Sequence, residues 1–264
     1  LVPEAGSSML FPALVGYQRA AKIFLTGEEF SPQYAREIGL VAEVVEDAEA
    51  QAKAQAIAAG ATHIESDVHA TSDQVAVLFH DDDLLRVAGV AKFIKDLSLK
   101  DLRSIRLKGE AVVPTLAEGL ELGVRLNLDI KSEPAILPTV LEIERYAAHE
   151  RVLVSSFSSK RRNAALKLLS KPVATSASMR EVALALLSHK AFGVGFSRVT
   201  AGVDAFQIPP KMYGLNFANP RFIARLKSQG IDTHFWTIND PQEAQRLLQL
   251  GASGIVSDRV DLLN

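Results

Sequence analysis

Glu65, Ser66 and Asp67 set two carboxylates two residues apart at the end of a strand-like run. Alternate residues on a strand share a face, so both carboxylates can reach a single cation. Their hard oxygens suit Mg2+ or Ca2+. A solvated acidic strand end is the plainer reading of the same pair. His80-Asp81 closes the next short run. A histidine beside acidic groups serves as a general acid or base near neutral pH, and a surface histidine in a turn has the same look. Asp129-Ile130-Lys131 closes a third run. Asp129 offers a third metal oxygen. Lys131, on the same face, offers an ammonium that neutralises phosphate charge; a surface ion pair is the alternative. Trp236, the single Trp, stands near the end of the run 233–238. There it walls a substrate pocket or fills the core. His63 and His69 flank the acidic pair. A ligand role for His69 competes with a packed, structural one, and His234 reads as structural. His149 and His189 read as helix-end residues.

The elements that must position these groups are strands. Strand candidates lie at 62–68, 125–130, 152–157, 173–176, 204–208, 233–238 and 254–257. Helical patterns at 159–169, 179–189, 220–229 and 241–250 alternate with them. This alternation argues for a parallel sheet, and its seven strands are one short of an eight-stranded α/β barrel. The functional end of such a barrel is formed by the C-terminal ends of its strands, where Glu65, Asp67 and Asp129 fall. The run 75–79 reads as an extension or hairpin of the first strand. Asn239 or Asp240 caps the last helix, with Pro241 in its first turn. Gly230 and Gly251 are fitting helix stops.

Before position 60 the pattern differs. Helices are expected at 14–25 and 31–38, the latter with Ser31 as cap and Pro32 at its first position. A strand is expected at 40–45, and an Ala-rich helix at 47–59 that ends at Gly60. No linker, internal repeat or low-complexity tract marks a boundary.

The chain's 264 residues suffice for a core without a metal or disulfide staple. With no Cys, disulfide scaffolds, thiolate zinc sites and Cys nucleophiles are excluded. The balance of 29 basic against 31 acidic residues argues against non-specific nucleic-acid binding. No apolar run is long enough for a membrane span. No basic flank precedes an apolar stretch, so no signal peptide is expected and a cytoplasmic location is the default.

The motifs together resemble the glycerophosphodiester phosphodiesterase family. The matching text is residues 60–68, Thr71-Ser72-Asp73, 77–82 through His80-Asp81-Asp82, and Leu128-Asp129-Ile130-Lys131. It continues with Ser155-Ser156-Phe157, Trp236-Thr237-Ile238-Asn239 and residues 254–259. The resemblance covers about positions 58–264. It implies a TIM barrel that hydrolyses a glycerophosphodiester to an alcohol and glycerol 3-phosphate with a divalent cation, Mg2+ or Ca2+. It implies metal ligation by Glu65 and Asp67, and by Asp129 where many members have Glu. Lys131 becomes a phosphate contact and His80 the general acid on the leaving alkoxide. Phe157 and Trp236 become apolar walls near the glycerol.

The family opens with a strand ending in His-Arg-Gly, followed by Pro-Glu-Asn. These supply a second catalytic His, a phosphate-binding Arg and a metal-binding Glu. This chain has no His before His63, and the family's Glu falls near Asp47. Residues 1–8, 14–16, 25–28 and 35–45 instead resemble the enoyl-CoA hydratase/isomerase (crotonase) family, over about positions 1–57. Glu4 falls where the isomerase branch has its catalytic Glu. The oxyanion-hole segments and most of the acyl-CoA pocket lie upstream in that family, so Glu4 reads as a relic. The expectation is that 40–45 substitutes as the barrel's first strand beside 64–68, with 47–59 as its first helix. The expected function is a phosphodiesterase of impaired turnover, since losing one acid/base histidine removes roughly 10²- to 10⁴-fold. The alternatives are a non-catalytic phosphate- or glycerol-binding barrel and, third, an enoyl-CoA enzyme.

Overall fold

A computed structural model describes residues 61–107, 111–212 and 214–263. The chain divides into two units, Leu1–Gln51 and Ala52–Asn264, and every described residue belongs to the second. The expected strand at 40–45, the Ala-rich helix at 47–59 and Glu4 lie outside the described residues.

Among the described residues seven parallel strands carry the fold: β1 (His63–Ala70), β2 (Arg125–Ile130), β3 (Val152–Ser155), β4 (Ala174–Thr175), β5 (Ala205–Ile208), β6 (Asp232–Phe235) and β7 (Gly254–Ile255). A helix occupies each crossover: α1 (Leu116–Glu121), α2 (Ile136–Arg145), α3 (Ser159–Leu168), α4 (Met179–Lys190), α5 (Pro220–Lys227) and α6 (Pro241–Gln249). β1 to β4 pair in sequence order, as do β5 to β7. A single parallel bridge, Ser176 to Ala205, joins the two arcs. Among the described residues β7 pairs only with β6. No helix among them is long and apolar enough to cross a membrane.

The alternation of side chains explains why these segments pair as they do. On β2, Leu126, Leu128 and Ile130 are at most 2% exposed and face the helices. Asn127 and Asp129, on the opposite parity, face inward. The first arc packs Val68, Leu128 and Val154 against Leu116, Leu120 and Ile143. The second packs Phe206, Ile208 and Phe235 against Leu186, Phe222 and Leu247. Capping boxes start α1 (Thr115 with Glu118) and α4 (Ser178 with Glu181). Asn219 and Asp240 cap α5 and α6 ahead of a first-turn Pro. Asn239 is not the α6 cap; its Oδ1 accepts from Asp258 N and Ser257 Oγ, each at 2.9 Å. Gly230 (φ 74°) and Gly251 (φ 101°) follow the ends of those helices in left-handed geometry.

The short strand Ala76–Leu78 folds back antiparallel onto β1, as a hairpin. Strands β3, β6 and β7 end two or three residues earlier than the sequence suggests. Past β6 and β7, Trp236 N still donates to Ile208 O at 3.3 Å and Val256 N to Phe235 O at 2.9 Å. The excursion between β1 and β2 holds elements the sequence pattern did not reveal. It contains the two-stranded pair Asp83–Leu84 and Val90–Phe93 and the helix Leu99–Ser104. These cover their own small core of Val77, Leu84, Ile94 and Leu102.

Candidate active site

A cavity of about 390 Å³ opens at the C-terminal ends of the strands. Glu65 and Asp67 reach it from β1, Asn127 and Asp129 from β2, and Lys131 from just beyond β2. Parallel pairing sets Asp67 opposite Asp129, so the two carboxylates lie side by side. Lys131 Nζ stands between them, 2.6 Å from Asp67 Oδ1 and 2.8 Å from Asp129 Oδ2. Its backbone N–H continues the ladder, donating to Val68 O at 3.0 Å.

Three carboxylates against one ammonium leave the cluster under-neutralised. Burial, reinforced by Asp67 and Asp129, pushes Glu65 up to about 7. Burial also raises Asp67, with Asp129 adding and Lys131 opposing. For Lys131 burial works against the charge, yet the hydrogen bonds to Asp129 and Asp67 outweigh it and hold the ammonium above the ordinary lysine range.

The donor chemistry fits a hard divalent cation. Glu65, Asp67 and Asp129 are all oxygen donors with excess negative charge. Asp129 Oδ1 is moreover buried without a hydrogen-bond partner. Among the described residues no three carboxylate or imidazole groups are close enough to enclose an ion unaided, and Lys131 spans the gap between two of them.

His80 lines the same cavity on a side chain that is 73% exposed. Its Nδ1 lies 2.7 Å from Asp81 Oδ1, and Arg86 Nε donates to Asp81 Oδ2 at 2.6 Å. The Arg86 bond first, and His80 second, hold the Asp81 carboxyl below the usual range. An ionised Asp81 only accepts, so Nδ1 carries the proton and Nε2 is left for chemistry.

The far wall is apolar. Phe157, Met179, Val182, Ile208, Met212 and Trp236 line it. Phe157 and Trp236 meet edge to face at 6.3 Å. Lys131 Nζ stands 5.4 Å over the Phe157 ring. All seven residues singled out in the sequence therefore line one cavity: Glu65, Asp67, His80, Asp129, Lys131, Phe157 and Trp236.

The other histidines do not line it. His69 is 5% exposed, with Nε2 3.5 Å from the His80 carbonyl and Nδ1 3.7 Å from Asp82. It packs under the turn that carries His80. His63 is exposed and bonds Thr62 Oγ1 at 2.8 Å. His149 meets Glu144 at 3.2 Å, and His189, in the last turn of α4, meets Phe222 edge to face. His234 lies against Gly254 on the neighbouring strand.

Several lining residues escaped the sequence reading: Asn127, Ser176 and Gln207. A signal existed for Asn127, which shares the parity of Asp129 on β2. Ser155 and Ser156 belong to the motif Ser155-Ser156-Phe157, which assigns them no role. Ser155 and Ser156 donate to the carbonyls of Leu128 and Ile130, contacts that only the assembled sheet creates.

The profile of the glycerophosphoryl diester phosphodiesterase family matches residues 49–262. That of the enoyl-CoA hydratase/isomerase family matches residues 1–82, so the two overlap at 49–82. A Mycobacterium tuberculosis protein named probable glycerophosphodiester phosphodiesterase 2 is 38% identical over 208 residues, spanning 77% of this chain and 78% of its own. A glycerophosphodiester phosphodiesterase of Caldanaerobacter subterraneus is 25% identical over 233 residues, spanning 79% of this chain and 87% of its own. Among solved structures, an Oleispira antarctica phosphodiesterase in complex with the product sn-glycerol-3-phosphate shares the fold, with a TM-score of 0.64 at 22% identity over 80% of this chain and 88% of that one. The chain belongs to the glycerophosphoryl diester phosphodiesterase family.

Proposed function

We propose that the protein hydrolyses glycerophosphodiesters to an alcohol and glycerol 3-phosphate, slowly and with a divalent cation. One observation carries the reading: a lysine-bridged carboxylate cluster and His80 share a cavity whose other wall is apolar. The family membership and the names of the relatives support it.

The residues divide the work. Lys131 neutralises charge on the phosphoryl oxygens as it develops. His80, acting as an imidazolium whose Nδ1–H is held by Asp81, donates its second proton from Nε2 to the departing alkoxide and is left as the neutral Nδ1–H imidazole. Phe157 and Trp236 cover the carbon skeleton of the glycerol and keep water from it. Mg2+ or Ca2+, held by Glu65, Asp67 and Asp129, would polarise the phosphoryl oxygens. Water supplies the attacking oxygen, and its proton leaves the site as the alcohol takes one from His80.

Low turnover follows from what the cavity lacks. Among the described residues His80 is the single imidazole lining it, and the sequence has none before His63. With one acid/base group in place of two, a rate deficit of roughly 10²- to 10⁴-fold is expected. Release of glycerol 3-phosphate from glycerophosphocholine, followed by a coupled dehydrogenase, tests the reading. Slow release that needs Mg2+ or Ca2+, and disappears with EDTA and in His80→Ala, supports it. Binding of glycerol 3-phosphate by calorimetry with no release at any metal concentration leaves a binding barrel instead. Fast release would make the missing histidine irrelevant.

A further inference from the structure

Two consecutive arginines in the first turn of α3 reach toward opposite sides of the cavity. Successive helical residues point about 100° apart, so one helix can serve both walls. Arg161 turns to β2. Its Nη1 donates to the Ile130 carbonyl at 2.8 Å and to the Lys131 carbonyl. It thus grips the backbone of the residue whose ammonium bridges Asp67 and Asp129. Arg162 turns to α4. It is 4% exposed. Its Nη1 donates to the Ser176 carbonyl at 2.6 Å and to Glu181 Oε2 at 2.7 Å, and its Nη2 to Glu181 Oε1 at 2.7 Å. The same Glu181 carboxylate accepts from Ser178 N at 2.7 Å and Ser178 Oγ at 2.9 Å. One planar, bidentate pair therefore closes the cap of α4 and ties it to α3.

The attachment points matter more than the pair itself. Among the described residues Ser176 forms the one bridge that joins the two arcs of the sheet. Ser176, Met179 and Val182 all line the cavity. Between the two arms lies Phe157, whose carbonyl accepts from Met179 N at 3.3 Å and whose ring meets Trp236. Neither arginine lines the cavity.

We infer that Arg161 and Arg162 are positioning residues, a two-armed strut that sets the spacing between the charged wall and the apolar wall. Arg161 holds Lys131 in place for the phosphoryl group. Arg162, through Glu181 and Ser176, holds Met179 and Val182 in place for the rest of the substrate. The kinetic part of the test rests on the phosphodiesterase reading; the spectroscopic part does not.

Three variants and two readouts test it. Arg161→Met removes one arm. The double variant Arg162→Met with Glu181→Leu removes the other and leaves no buried carboxylate unpaired. Arg162→Lys keeps charge but not the fork. The readouts are kcat and KM for glycerophosphocholine, and acrylamide quenching of Trp236, the chain's single Trp. Arg161→Met is expected to lower kcat about tenfold with KM within about twofold, because misplacing a charge-stabilising group is felt in the transition state. The double variant is expected to raise KM about tenfold with kcat within about twofold, and to raise quenching about twofold as the apolar wall loosens. Arg162→Lys should resemble the double variant rather than the wild type. Lower melting temperatures with kcat, KM and quenching unchanged would reduce both arginines to general support and overturn the inference. Should the wild type release no glycerol 3-phosphate, the phosphodiesterase reading falls by itself. Quenching then decides: raised in the double variant it upholds the strut, unchanged it refutes it.

Discussion

Strands β1 and β2 turn Glu65, Asp67, Asn127 and Asp129 into the cavity, whereas the end of β5 brings Ile208 to its apolar side and the residue just past β6 brings Trp236. Both arcs use the same parallel backbone geometry, but on β5 the inward parity carries Gln207, while Ile208 lies opposite Phe235 in the register and also packs with the helices. The first arc accepts the cost of desolvating carboxylates and, second, of crowding like charges, visible in Glu65 being pushed up to about 7. The second arc carries Phe206, Ile208 and Phe235 in a continuous apolar core. The contrast assigns electrostatic work to one wall and shape to the other. The two must therefore fail differently when altered.

The largest failure belongs to the charged side. His80→Ala is expected to cut kcat/KM by about 10²- to 10⁴-fold with the melting temperature unchanged, since the side chain is exposed. Circular dichroism melts alongside initial rates check both halves of that statement. Lys131→Met comes next. It removes the ammonium between Asp67 and Asp129 and should lower kcat about 10²- to 10³-fold. Retained kcat would move phosphate neutralisation to another group.

The third prediction concerns pH. The native protein holds the Glu65 proton more tightly than the unfolded chain does, with 4.5 raised to about 7. Folding stability attributable to this group is therefore fully present below about 4.5 and falls as pH rises toward about 7. Part of Glu65 remains exposed, so solvent screening reduces the loss. Urea midpoints at pH 5 and pH 8 measure it. Glu65→Gln should flatten the slope, and millimolar Mg2+ or Ca2+ should offset it at the upper end. A slope that Glu65→Gln leaves intact assigns the effect elsewhere.

The smallest effect is expected on the apolar wall. Trp236→Ala should raise KM about tenfold and leave kcat within a few-fold, because it removes contact area rather than charge. A fall in kcat matching that of Lys131→Met would erase the distinction between the walls.

Much of this is legible in the sequence. The β2 run alternates Leu126, Asn127, Leu128, Asp129 and Ile130, so its period of two announces both a helix-facing and an inward face. Helix starts were readable where a capping residue precedes Pro220 or Pro241. The excursion after β1 was not, because Val90–Phe93 is mostly exposed and its pairing with Asp83–Leu84 has no hydrophobic alternation to betray it. The strand ends were overrun for a related reason. Residues such as Phe157, Thr237 and Val256 remain apolar or β-branched past the paired strand segments, since they line a cavity.

By itself the sequence determined which chemistry is available. Residue types and i, i+2 spacing specify carboxylates, an imidazole, an ammonium and two aromatic rings at strand ends, and those properties are local. Tertiary structure alone decided how the groups act on one another. The register that sets Asp67 opposite Asp129 links segments about sixty positions apart in the chain. So does the bridge of Lys131 between them. The burial of His69 beneath the His80 turn, and the reach of Arg161 and Arg162 to two different walls, likewise depend on how strands and helices pack. Charge interactions and burial depend on distance in space, which the chain acquires only on folding.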